Sequence, residues 1–172
     1  MQTGDVKVAQ QNLKSTVLVL GDQINRDIAS LSGRSPEDTR ILFIELSAKF
    51  GKKQWHKQKV HLLLSAMMHF AKELRDEGFE VDYRKAKTLR DGIEAHTREF
   101  EVSHIVAMEP MNWNGRNLLE KLNIDLIRNN QFLCHYEDFA KWSSEKGKFK
   151  MEDFYRWQRK RLNILMDGSD PC

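Results

Sequence analysis

Two short, mainly apolar runs near the front of the chain narrow the possible folds most. Thr16-Val17-Leu18-Val19-Leu20 stops at Gly21, and Arg40-Ile41-Leu42-Phe43-Ile44-Glu45-Leu46 follows after a loop-rich stretch. Neither alternates polar with apolar, so each reads as a strand covered on both faces, as in a parallel sheet flanked by helices. The segment between supports this. Asp22 can cap a short helix through Ile24, Ile28 and Leu31, and Ser32-Gly33-Arg34-Ser35-Pro36 reads as a loop.

The rest of the chain repeats that alternation. From His56 to Glu77, Val60, Leu63, Leu64, Met67, Phe70, Ala71 and Leu74 fall on one helical face, and Gly78 ends the helix. Phe79 to Tyr83 alternates as a half-buried or edge strand. Thr88 to Phe100 reads as a helix, Ser103 to Met108 as an inner strand, Trp113 to Leu122 as a helix and Ile124 to Ile127 as a last strand. Strand and helix in turn predict a doubly wound, Rossmann-like α/β fold: a parallel sheet of about five strands with helices on both faces. After Cys134 the pattern changes, with helices expected over His135–Trp142 and Met151–Leu162. The expected organisation is a flexible lead-in (1–14), an α/β domain (15–142) and a basic helical connector (143–172).

Charge is unevenly spread. The net charge is only +3, yet residues 141–161 carry eight basic side chains against three acidic ones. Such a cluster suits a polyanion partner or a solvated helix face that meets another domain. Cys134 and Cys172 are the only thiols, too few for a disulfide framework, a structural zinc site or a four-cysteine iron–sulfur cluster. Cys134 is expected to be an inert core thiol and His69 a packing histidine beside the apolar stripe. The first residues have no apolar signal core, and no stretch approaches the ~20 apolar residues that cross a bilayer. A cytoplasmic, non-membrane protein is expected.

In an open parallel sheet, ligands bind beyond the carboxyl ends of the strands. The residues there are Gly21, Asp22 and Gln23 after the first strand, Glu45 at the end of the second, and Glu109-Pro110 with Trp113 after the inner one. Glycine admits close backbone approach, and the carboxylates and amide offer hydrogen bonds. The same residues also fit plain roles: a strand-ending turn, a cap and a solvated strand end. His56 and Lys57, at the entry to the long helix, could meet an anion or a polyhydroxyl chain. No dinucleotide glycine fingerprint, P-loop, nucleophile elbow or zincin motif occurs.

Several strings resemble a known family. They are Leu18 to Ile24; His56-Lys57-Gln58-Lys59; Leu64 to Leu74; Glu109-Pro110 with Trp113; Met151 to Arg156 with Arg159-Lys160-Arg161; and Leu165 to Gly168. In order and spacing they are similar to the N-terminal part of the deoxyribodipyrimidine photolyase-related proteins, the bacterial iron–sulfur cryptochromes and (6-4) photolyases. The resemblance implies a light-harvesting domain that binds the antenna chromophore 6,7-dimethyl-8-ribityllumazine. FAD, the iron–sulfur cluster and the DNA site would belong to a C-terminal region that this chain lacks. DNA is then a partner of the full-length protein alone, and the chain by itself has no catalytic residues. Gly21, Asp22 and Gln23 would line one side of the lumazine, Glu45 and Glu109 would bond its polar atoms, His56 and Lys57 would reach its ribityl chain, and Trp113 would form an apolar wall. Two departures stand out: Lys49 and Lys52 replace a usual glutamate and tyrosine, and Met111-Asn112 replaces a usual Gly-Glu. They favour the alternative, a divergent domain without chromophore acting as an assembly or docking module.

Overall fold

The computed structural model describes residues 14–48, 55–102, 104–144, 146–168 and 170–171. It divides into two compact units, one ending at Asn129 and one beginning at Asn130.

The first unit is a five-stranded, wholly parallel sheet. Its strands are β1 (Ser15–Val19), β2 (Thr39–Leu46), β3 (Glu80–Ala86), β4 (Ile105–Met108) and β5 (Asp125–Ile127), in the spatial order β3-β2-β1-β4-β5. The connecting helices are α1 (Lys57–Asp76), α2 (Leu89–Glu99) and α3 (Trp113–Lys121). The doubly wound expectation holds. The apolar runs are sorted by the two-residue period of the strand. Val17, Val19, Ile41, Phe43, Val106 and Met108 pack with Met67, Phe70, Ala71 and Leu74 of α1. Leu18, Leu42, Ile44, Ile105 and Ala107 point the other way, toward Ile93 of α2 and Leu119 of α3. Each run is continuous because both of its faces meet helices.

Local chemistry sets the helix ends. His56 caps α1, its Nδ1 accepting from the Gln58 backbone N–H at 3.3 Å. Thr88 and Asp91 form a reciprocal capping box on α2 at 3.1 and 3.2 Å. Close approach of α2 to the sheet depends on Gly92, where a Cβ would lie 2.8 Å from two carbons of Ile44.

Three expectations need correction. Asp22 does not cap a helix: the chain from Asp22 to Leu31 is a series of turns. Asn25 Oδ1 accepts from the Asp27 N–H at 2.9 Å, a side-chain turn that competes with helical hydrogen bonding. Ile28 and Leu31 are nevertheless buried in the α1-side core, so their apolar spacing recorded burial without helix. His69 is exposed on α1 rather than packed, and Cys134 is half-buried, its Sγ 3.5 Å from the His135 carbonyl.

In the second unit, α4 (Tyr136–Ser144) and α5 (Met151–Leu162) enclose an aromatic cluster, followed by a two-strand ribbon of Met166–Asp167 and Asp170–Pro171. Trp142 is its centre, with ring centroids 5.2 Å from Phe154 and 6.0 Å from Trp157. Among the described residues no helix is long and apolar enough to cross a membrane.

Candidate functional site

Strand order reverses at β1, which lies between β2 and β4, and a crevice is expected beyond the carboxyl ends of such strands. A cavity of about 250 Å³ lies there. Its floor is the end of β1, from Leu18 to Asp22, with Ile44, Glu45 and Leu46 of β2 on one flank. Leu63, Leu64 and Met67 of α1 form one wall. Leu89, with Pro110, Asn112 and the first turns of α3, forms the rest. It is close to the small end of ligand sites, which run roughly 300–1,000 Å³, and suits one flat ring system better than a dinucleotide.

The walls are mainly apolar, and the polar groups are few. Glu45 is steadied from the side: Tyr83 Oη donates to its Oε2 at 3.4 Å, and Lys85 Nζ lies 3.6 Å from Oε1. Burial raises the Tyr83 pKa and the Glu45 charge raises it further, so the phenol remains a donor at neutral pH. Asn112 caps α3, its Oδ1 accepting from the Gly115 N–H at 2.7 Å. Gly21 keeps the floor low. A Cβ there would lie 3.2 Å from Met67 Sδ and 3.6 Å from a Leu63 methyl.

Of the eight candidate residues, the cavity brings together Gly21, Asp22 and Glu45. Gln23 lies behind it, fully buried. Its Nε2 donates to the Met108 and Glu109 carbonyls, both at 3.1 Å, while its Oε1 is buried without a partner. Glu109 is also buried and engaged in the fold. Its Oε1 is 3.1 Å from Arg116 Nη1, and its Oε2 accepts from the Asn129 N–H at 3.2 Å. His56, Lys57 and Trp113 are exposed and are not among the lining residues, and Trp113 keeps 76% of its surface accessible. Lys49 and Lys52 lie outside the described residues.

Sequence reasoning missed the apolar lining. Leu63, Leu64 and Met67 were legible only as part of the α1 stripe, because nothing in helical periodicity separates a residue that packs on the sheet from one that overhangs its end. Asn112 carried a usable signal, since a polar residue ahead of a helix is a cap candidate. Among the described residues no group of three or more His, Cys, Asp or Glu is placed to hold a metal ion.

Comparison with known proteins bears on the family. The family model described as deoxyribodipyrimidine photo-lyase-related protein matches residues 17–172. A (6-4) photolyase from Agrobacterium fabrum (strain C58 / ATCC 33970) is 30% identical over 171 residues, covering 92% of this chain and 34% of that photolyase. The chain thus spans about a third of the length of this curated relative, and it belongs to the deoxyribodipyrimidine photo-lyase-related family.

Proposed function

We propose that this chain is the N-terminal, light-harvesting part of a photolyase- or cryptochrome-like flavoprotein of the cytoplasm, and that its cavity holds 6,7-dimethyl-8-ribityllumazine. The observation that carries the reading is the cavity itself. It lies at the reversal of strand order, has apolar walls for a flat ring, and carries acceptors at its edge. Lumazine fits that set of acceptors. Its ring would lie between the glycine floor and the α1 wall, and its hydroxyl and ring N–H groups would donate to Asp22 and Glu45. When bound, the chromophore supplies absorption of blue light and its transfer onward; the protein excludes water and holds the ring rigid. FAD, an iron–sulfur cluster and the DNA site are assigned to the further two-thirds found in the relative, where the chemistry of DNA repair or light sensing would take place.

One observation favours a second reading, an assembly or docking module. The C-terminal unit exposes large apolar side chains, among them Phe132, Leu133, Phe149, Met151, Tyr155 and Leu165, more than a solitary unit of its size needs. The two readings separate on a lumazine fluorescence titration. Binding with stabilisation of about 2.7 kcal/mol at a hundredfold excess over Kd supports the antenna. Absence of binding at millimolar lumazine leaves the docking module.

A further inference from the structure

The cavity beside β1 offers acceptors on one side and a side-chain donor on the other. Strands β2 and β4 flank β1, so Glu45, on β2, and Asn112, beyond the end of β4, stand on opposite sides of the floor. Asp22 is the third polar side chain of the lining. As carboxylates, Asp22 and Glu45 only accept, whereas the amide of Asn112 both accepts and donates. Asn112 is thus the one lining side chain with an N–H to give.

That amide is held in one orientation. Its Oδ1 accepts from the Gly115 N–H at 2.7 Å. A backbone donor requires an oxygen opposite it, so the bond settles which end of the amide is nitrogen. The amide also lies close against Gly115. A Cβ on that glycine would sit 3.2 Å from Oδ1, 3.3 Å from Nδ2 and 3.0 Å from Pro110 Cβ, and Gly115 and Pro110 line the cavity themselves. Nδ2 makes no hydrogen bond with the described residues. The helix cap therefore holds an unused donor at the cavity edge, and a donor already fixed loses little rotamer freedom when a ligand takes it up.

A lumazine ring calls for such a group. Besides its N–H and hydroxyls it carries two carbonyls, and carboxylates alone would leave their lone pairs unmatched. An acceptor withdrawn from water without a partner weakens binding. We propose that Asn112 is a further binding residue of this cavity, donating from Nδ2 to a ring carbonyl of the chromophore while its Oδ1 caps α3. The inference rests on the lumazine reading above.

The full chain, Asn112→Ser and Asn112→Asp are titrated with 6,7-dimethyl-8-ribityllumazine, and the absorption of the bound chromophore is recorded. Serine and aspartate cap helices about as well as asparagine, so both variants should keep the wild-type Tm. Asn112→Ser removes the amide without adding charge and should weaken binding roughly two- to tenfold. Asn112→Asp also adds a carboxylate and should weaken it further. In both variants the longest-wavelength band of the bound chromophore should move to shorter wavelength, because a donor on the carbonyl stabilises the charge that gathers on its oxygen on excitation. A residue that only caps α3 would move neither affinity nor band. Wild-type affinity and spectrum in Asn112→Ser would overturn the proposal, and so would a loss confined to Asn112→Asp, which would report charge repulsion alone. A folded wild type that binds no lumazine at millimolar concentration would refute the lumazine reading itself, and this inference with it.

Discussion

His96 and Asp82 face each other between α2 and β3, with Nδ1 2.6 Å from Oδ2 and the imidazole wholly buried. The ring's other nitrogen lies 2.9 Å from Thr16 Oγ1 on β1, so one side chain joins the middle of the sheet to its edge. Arg84 completes the group by donating from Nε to the same Asp82 oxygen at 2.6 Å. Burial pushes the Asp82 carboxyl upward, but hydrogen bonds from His96 and Arg84 outweigh it and hold the pKa below its ordinary value near 3.8.

A folded-state pKa below the unfolded one stabilises the protein above the unfolded pKa, and this contribution disappears as pH falls through the folded value. Asp82→Asn should therefore destabilise the fold most near neutral pH, by about 3 kcal/mol, because it leaves buried partners uncompensated. The gap from wild type should narrow below about pH 4. Urea midpoints between pH 7 and pH 2.5 test it; a gap that stays constant across that range contradicts it.

Gly92 and Gly21 should respond differently to alanine. At Gly92 the new methyl meets two carbons of a buried, β-branched Ile44 at 2.8 Å, and such overpacking costs about 1–3 kcal/mol. At Gly21 it meets a flexible Met67 thioether at 3.2 Å, so the cost should stay below about 1 kcal/mol. For a chain of this size, Gly92→Ala should lower Tm by roughly 2–12 °C and Gly21→Ala by at most a few degrees. Gly21→Ala should still weaken lumazine binding, since the methyl raises the cavity floor.

Glu45 and Glu109 should separate binding from stability. Glu45→Ala removes an acceptor at the cavity and should weaken lumazine binding about five- to 150-fold, or 1–3 kcal/mol, with little change in Tm. Glu109→Ala strips Arg116 and the Asn129 N–H of their partner and should cost about 3 kcal/mol of stability. Titration and thermal melting of both variants distinguish these outcomes. The reverse pattern, with Glu109→Ala stable but unable to bind, would move the polar edge of the site to Glu109.

Trp142→Ala should disorder the C-terminal unit selectively, because one ring fills the space among Phe139, Phe149, Phe154 and Trp157. The expected cost is about 3–5 kcal/mol. Hydrogen exchange should show α4 and α5 losing protection while β1, β2 and β4 keep theirs. Equal loss in the sheet would mean that the two units unfold together.

The architecture of the first unit could be read from the chain because its information is local. Apolar runs rich in β-branched residues, a long amphipathic helix and glycine stops each report their own secondary structure, and their alternation leaves few topologies. The turn segment from Asp22 to Leu31 was less legible. Its apolar spacing satisfied a helix, but Asn25 and the buried amide of Gln23 bind the backbone in other ways.

The candidate site divides along the same line. The sequence by itself determined that Gly21, Asp22 and Glu45 lie at strand ends, where an α/β sheet binds its ligands, because strand ends are visible locally. Only the tertiary structure decided which polar groups face the cavity. Glu109 and Gln23 follow or adjoin strands just as Glu45 and Asp22 do, yet long-range partners, Arg116 and Asn129 for one and the Met108 and Glu109 carbonyls for the other, draw them into the fold. A hydrogen bond between residues 85 apart in the chain leaves no trace in the local pattern, because it exists only once strands distant in sequence are neighbours in space.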